Sequence, residues 1–253
     1  TPSELEELNL SENEMKFIKP FVKNSDIDRY TVSPELDYFI IYVDTVETEL
    51  EFNKLPNIKK HLTKFREPLA KRYINGVLQS AYKKGKWWAL IHSVPIQIIK
   101  NEKIICPQRN RYNLFGYEEG ETYASADVYY ISSNKNNFSL KYILSILNSK
   151  LVYFWLYWMG KRKGEMLELY FEPLQFIPIK KASTSDQKAF IRITEYILFS
   201  KKQTYSDVSY QLMPTYFEQI VDGMVYDLYF PELLKKHNRE IIKHLDELPE
   251  FTD

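Results

Sequence analysis

Three glutamates, Glu165, Glu168 and Glu172, recur at spacings of three and four residues just after the cationic run Lys161-Arg162-Lys163. Carboxylates clustered near a lysine could hold divalent metal for cutting a phosphodiester. Leu167, Leu169 and Phe171 interleave with them, however, so the stretch reads as a turn with a solvated face rather than a metal cage. The four histidines, His61, His92, His237 and His244, are scattered; only the last two lie close, seven residues apart, and no His-Glu-x-x-His occurs. Cys106 is the single cysteine. It excludes an internal disulfide and a multi-cysteine zinc site, fits a reducing compartment, and reads as a small buried hydrophobe in a strand. Neither Gly-x-Gly-x-x-Gly nor a Gly-Lys-Ser/Thr loop is present, so nucleotide and dinucleotide cofactors lack their usual anchors.

What the chain does carry is a hidden charge asymmetry. It holds 34 basic and 34 acidic residues, for a net charge of zero. Between Lys59 and Arg111, thirteen lysines and arginines stand against two acids, Glu67 and Glu102, so that this segment is +11 and the remainder −11. Tyr73, Tyr82, Trp87, Trp88 and Tyr112 are interleaved with these cations. Cations displace counterions from a phosphate backbone and flat rings lie against sugars and bases, so the pattern suits a nucleic-acid surface; a solvated lysine-rich face is the plainer alternative.

The elements that must position these side chains follow from periodicity. With 253 residues, 44% hydrophobic and only 7 glycines, the chain can build a real core and is not a disordered tail. Its start, Thr1-Pro2-Ser3-Glu4, has no leader pattern and no Met, which reads as a piece cut from a longer chain. The longest apolar run, Leu151 to Met159, is far short of the roughly 20 residues a membrane span needs. Residues 1–34 read as a partly helical lead-in and Tyr38 to Val43 as a buried strand. Spacing predicts helix from Leu55 to about Tyr82, broken or kinked at Pro68. Strands are predicted at Trp87–Ile91, Ile96–Ile99, Lys103–Cys106 and Thr122–Ser132, and a deeply buried helix from Phe138 to Met159. Gly160 to Gly164 is a basic turn, after which Phe176–Ile179 re-enters the sheet. Beyond Lys181, Thr184-x-x-Gln187 opens a helix as a capping box, Phe217 to Leu228 follows helical offsets closely, and a third helix runs from Pro231 to about Leu245. The fold class is α+β: a curved mixed β-sheet with packed helices over residues 1–181, followed by a C-terminal helical spacer module over 182–253.

Several phrases together resemble a known family. Phe17-Ile18-Lys19-Pro20-Phe21 with Asp26-Ile27-Asp28-Arg29-Tyr30, Leu69-Ala70-Lys71-Arg72 ahead of Trp87-Trp88, Lys103-Ile104-Ile105-Cys106-Pro107, Leu147-Asn148-Ser149-Lys150-Leu151 and Phe176-Ile177-Pro178-Ile179 are similar to the TaqI-like C-terminal specificity domain. That domain follows the methyltransferase domain in many Type II and Type IIG restriction-modification enzymes. The likeness spans about residues 15 to 180, and Ile220 to Tyr229 resembles the helix that ends such enzymes and the spacer helices of Type I specificity subunits.

The resemblance implies a target-recognition domain that docks double-stranded DNA in the major groove and positions it for an upstream adenine methyltransferase to flip its base. This chain would then be no enzyme: it lacks the Asn-Pro-Pro-Tyr box of adenine methyltransferases. S-adenosylmethionine, and Mg2+ if the parent also cuts, would belong to the parent, with a cytoplasmic location and a helix-mediated dimer as further implications. Base-reading residues in this family vary with the target, so the site expectations rest on charge and loop position. Arg109, Arg111 and Tyr112 are expected at base edges, and Lys83, Lys84, Lys86, Lys161, Arg162 and Lys163 at phosphates. Asp127 could accept from a cytosine amino group or brace an arginine. Two other readings remain: an interaction module docking a methyltransferase or nuclease partner without DNA specificity, and a nuclease built on the Glu165 cluster.

Overall fold

A computed structural model describes residues 1–71, 73–74, 77–78, 86–90, 93–132, 138–203 and 211–245. In chain order the helices are α1 (Pro2–Glu7), α2 (Glu12–Met15), α3 (Glu49–Phe52), α4 (Pro56–Thr63), α5 (Arg66–Ala70), α6 (Ile96–Lys100), α7 (Leu140–Leu147), α8 (Lys150–Met159), α9 (Phe171–Gln175), α10 (Thr184–Lys202), α11 (Met213–Tyr229) and α12 (Pro231–Lys236). The strands are β1 (Ile18–Val22), β2 (Phe39–Ile41), β3 (Tyr73–Ile74), β4 (Val77–Leu78), β5 (Lys103–Pro107), β6 (Arg109–Asn110), β7 (Gly116–Glu118), β8 (Tyr123–Ala124), β9 (Val128–Ser132), β10 (Arg162–Lys163) and β11 (Met166–Glu168). The α+β expectation is met, with the strands distributed over small sheets ordered β2-β1-β8, β7-β5-β9, β10-β11-β6 and β3-β4. The first is mixed, since β1 runs antiparallel to β2 and parallel to β8.

The chain forms two compact units. One comprises Thr1–Val22, Glu35–Ile99 and Glu121–Ala124; the other comprises Lys23–Pro34, Lys100–Gly120 and Ser125–Asp253. In the first unit, Trp87 and Trp88 are buried as core residues, Trp87 edge-on to Phe52 at 5.6 Å and Trp88 stacked on it at 4.5 Å. The strand predicted at Trp87–Ile91 is a turn instead over residues 87–90, and Ile91 lies outside the described residues. The Trp88 indole N–H donates to the Val46 carbonyl at 3.1 Å, and burying both rings fixes the backbone in a bend rather than a ladder. Ile96–Ile99, also predicted extended, is helical because the Pro95 carbonyl caps its first turn, accepting from Ile98 and Ile99 at 2.8 and 3.2 Å. The long helix predicted from Leu55 breaks at Lys64–Phe65, ahead of Pro68, and gives way to the β3-β4 hairpin.

Glu14 organises this unit from the inside. Its carboxylate closes a capping box with Ser11 and also accepts the Asn57 and Ile58 backbone N–H groups at 2.7 and 3.0 Å, capping α4 from a distance where the Leu55 side chain has no oxygen to offer. Burial raises the carboxyl's pKa, but the Ser11 and Ile58 amides and the Ser11 and Asn57 side chains overcome it and hold the group at about 2.

In the second unit, β5 is buried along its whole length, with Cys106 fully enclosed as expected of a small hydrophobe. The core continues through α7, α10 and α11 without interruption at residue 181, because Ala189, Phe190 and Ile193 pack with Tyr142 and Leu144. The helix predicted from Phe138 to Met159 is two helices. Asn148 ends α7, and Ser149 caps α8 by accepting from the Val152 amide at 3.3 Å. Only α7 is deeply buried. The expected Thr122–Ser132 strand is interrupted at Ser125–Asp127, where Val128 N–H turns back to Ser125. Phe176–Ile179 lies outside any strand, following α9. Ser183, one residue ahead of the predicted cap, starts α10, and α12 is shorter than predicted, followed by a single 3-10 turn at Ile242–His244.

Candidate nucleic-acid interface

The β10-β11-β6 sheet gathers residues that lie far apart in sequence. Register places Glu168 of β11 opposite Arg109 of β6, and Leu167 between Asn110 and Arg162. Gly164, at φ 63°, takes the first position of the two-residue loop joining β10 to β11, a conformation that favours glycine. The basic turn read in the sequence is therefore a hairpin, and Lys161, Arg162 and Lys163 on it share one small sheet with Arg109. Arg111 and Tyr112 follow β6 directly.

Each carboxylate of the Glu165 cluster meets one of these cations. Arg109 Nε donates to Glu168 Oε1 at 3.0 Å, Arg111 pairs with Glu165 at 3.4 Å, and Lys161 with Glu172 at 3.6 Å. The Arg109 hydrogen bond holds the Glu168 carboxyl below the usual range. The Arg109 contact uses Nε, so it does not engage the two terminal nitrogens of the guanidinium. Among the described residues, no group of three or more His, Cys, Asp and Glu is placed to hold a metal ion. The spacing of these glutamates thus serves ion pairing with the basic hairpin and its neighbours.

Aromatic rings flank the cations. The Arg162 guanidinium lies 3.9 Å over the Tyr157 ring and the Lys161 ammonium 5.4 Å over Tyr170. Tyr112 is 60% exposed, its ring 5.9 Å from Tyr153.

The loop carrying Arg111 and Tyr112 is tied to the break between α7 and α8. Asn113 donates to the Leu147 and Ser149 carbonyls at 2.7 and 2.9 Å. Asn148 accepts from the Phe115 N–H at 3.1 Å and donates to the Phe115 carbonyl at 2.8 Å. Both amides are buried. Gly116 completes the anchor, since a Cβ there would meet the Thr31 carbonyl oxygen at 2.8 Å. Sequence reasoning missed Asn113 altogether; the Leu147-Asn148-Ser149 phrase was the signal that pointed here.

The remaining expected residues fall elsewhere. Lys86 belongs to the first unit, half-buried and paired with Glu47. Lys83 and Lys84 lie outside the described residues. In the same unit, Lys64, Arg66, Lys71 and Trp87 help line a cavity of about 520 Å3, with the Arg66 guanidinium 5.4 Å over the Trp87 ring. Asp127 accepts from Asn24 and Ser125, so its partners are an amide and a hydroxyl rather than the arginine expected.

Residues 19–179 match the TaqI-like C-terminal specificity domain, and the chain belongs to that family. It is 28% identical over 200 residues to the Type II methyltransferase M.MjaIV of Methanocaldococcus jannaschii, covering 76% of this chain and 64% of the relative. Against the Type II methyltransferase M.HindII of Haemophilus influenzae the identity is 26% over 184 residues, 70% of this chain and 35% of the relative. The chain thus spans less than two thirds of the length of these relatives. The fold is similar to that of the Type IIL restriction-modification enzyme MmeI, solved in complex with DNA, with a TM-score of 0.67 at 14% identity, over 98% of this chain and 33% of that one. Membership of a specificity-domain family supports DNA target recognition in general. No helix among the described residues is long and apolar enough to cross a membrane.

Proposed function

We propose that the chain reads a specific sequence in double-stranded DNA as the specificity region of a restriction-modification enzyme. The reading further holds that it positions the duplex for an adenine methyltransferase domain, covalently linked or associated, outside this chain. The observation that carries it is the convergence of Arg109, Arg111, Tyr112, Lys161, Arg162 and Lys163 on one sheet and its adjoining loop in a chain of this family. Arginine pairs bidentately with the O6 and N7 of guanine, and a good contact of this kind discriminates by about 1–3 kcal/mol. Held through Nε by the buried Glu168 while its own side chain stays partly exposed, Arg109 is pre-oriented for such a contact. Arg111 and Tyr112 join it at base edges, while Lys161, Arg162 and Lys163, with Lys83, Lys84 and Lys86, hold phosphates.

On this reading the chain performs no chemistry. S-adenosylmethionine, and Mg2+ where the parent also cuts, act in the partner domain, and the protein works in the cytoplasm of a bacterium or archaeon. Residues 1–181 form the recognition region, and residues 182–253 a helical module that braces it and can pair with a second copy.

Selection of random duplexes at two salt concentrations, followed by sequencing of the retained DNA, tests the proposal. An enriched motif is expected. Arg109→Ala should then relax one position of that motif, whereas Lys161→Ala should weaken all sequences alike and lower the salt slope by about one. Uniform loss in both variants would overturn the base-reading role.

A further inference from the structure

The α8 helix presents an apolar ledge to solvent: Phe154, Trp158 and Met159 are 61%, 64% and 71% exposed, while only Val152 and Leu156 of this helix are buried. Apolar side chains gathered on one face mark a surface that a partner covers. The rings form a connected series: the Arg162 guanidinium lies over Tyr157, Tyr157 meets Trp158 edge-on at 5.3 Å, and Trp158 lies 6.3 Å from Phe154. One residue beyond Met159, after Gly160, come Lys161, Arg162 and Lys163. Flat rings continuous with cations fit the faces of nucleobases flanked by phosphates.

A paired, stacked base offers its edges to a protein and hides its faces. Faces become available where the duplex is unstacked, as when a base is turned out and its partner is left unpaired. We propose that Trp158, with Phe154 and Met159, forms a stacking ledge for a nucleobase at an unpaired or unstacked position of bound DNA. This rests on the DNA-recognition reading above and adds a second mode of contact to it: base edges at Arg109, base faces at Trp158.

The test uses two fluorescent duplexes of identical sequence, one fully paired and one with a single unpaired adenine, titrated with the full chain. About tenfold tighter binding to the unpaired duplex is expected, in line with the stacking of one base on an aromatic ring. Trp158→Ala should abolish that preference while leaving affinity for the paired duplex and the melting temperature unchanged, and Trp158→Phe should retain most of it. Lys161→Ala should weaken both duplexes equally. If the wild-type chain binds both duplexes alike, or Trp158→Ala and Phe154→Ala keep the preference, the ledge is not a base platform although DNA recognition stands. Loss of binding to a separately supplied methyltransferase domain, with DNA binding intact, would assign the ledge to a protein interface and equally overturn it. Absence of any DNA affinity in the wild-type chain would overturn both readings.

Discussion

The consecutive helices α7 and α8 are written in the same apolar alphabet, LKYILSIL and KLVYFWLYWM, and end in opposite surroundings. In α7 every residue but Lys141 is buried, between the β7-β5-β9 sheet and the long helices α10 and α11. In α8 two residues are buried and the aromatic ones are spread from half-buried to open. Apolar composition therefore does not assign a helix to the core. What separates the two is the Asn148–Ser149 break, where the chain turns and the polar knot with Asn113 and Phe115 fixes the loop that carries Arg111 and Tyr112.

The largest effect should come from α7. Leu144→Ala, at a fully buried position, is expected to cost about 2–5 kcal/mol in urea unfolding, whereas Phe154→Ala on α8 should stay within about 0.5 kcal/mol. Equal losses would mean that the ledge is packed in solution and would erase the contrast. At the break itself, Asn148→Ala strands the Phe115 N–H and carbonyl and should cost about 2–4 kcal/mol, at about 1–3 per buried group. It should also blur the selected DNA motif through the loosened loop. Asn113→Asp tests the same loop: a carboxylate cannot donate to the two carbonyls and would bury a charge against them, so it should cost at least as much in urea unfolding.

Acid sharpens the comparison, because the knot between α7 and α8 is made of neutral amides while the one at α2 and α4 depends on Glu14. With a folded pKa of about 2 against 4.5 unfolded, Glu14 contributes stability that is fully present above pH 4.5 and is lost as pH falls towards 2. Glu14→Gln should cost about 1–3 kcal/mol at neutral pH and flatten that dependence between pH 4.5 and 2. Unfolding followed by tryptophan fluorescence reads this out, since Trp87 and Trp88 lie in the same unit. The smallest stability effect belongs to Glu165→Gln. Its pair with Arg111 is exposed on both sides, so stability should change by less than about 0.5 kcal/mol. Affinity for non-specific DNA should nevertheless rise, because a counter-charge beside the cations proposed to hold phosphates is removed.

The strongly periodic elements were legible in the sequence: the α11 helix, the β5 strand, the buried Cys106 and the basic turn. The strand expected at Tyr38 to Val43 forms as β2 but is shorter, and Phe39 on it is exposed rather than buried because β2 is an edge strand of its sheet. Ile96–Ile99 and residues 87–90 were not legible, because a short apolar run is equally compatible with strand, helix or turn until its neighbours supply hydrogen-bond partners. The strand β1 was hidden for the same reason, Pro20 and Lys19 masking a ladder that β2 and β8 complete. The candidate site was half legible. Charge and glycine marked Lys161 to Lys163, and the residues after β5 marked Arg109 to Tyr112, yet nothing in the spacing said that the two groups are neighbours.

By itself the sequence determined the kind of surface this protein presents: a local excess of cations with aromatic rings, no motif for bond-breaking chemistry, and the phrases of a specificity domain. These are properties of residue type and short-range order. Only the tertiary structure decided that Glu168 stands opposite Arg109 across 59 positions of chain, that Asn113 reaches the end of α7, and that α8 turns its rings outward. Pairing between short distant strands and the burial of one helix face depend on what the rest of the chain has already packed, and no local pattern encodes that.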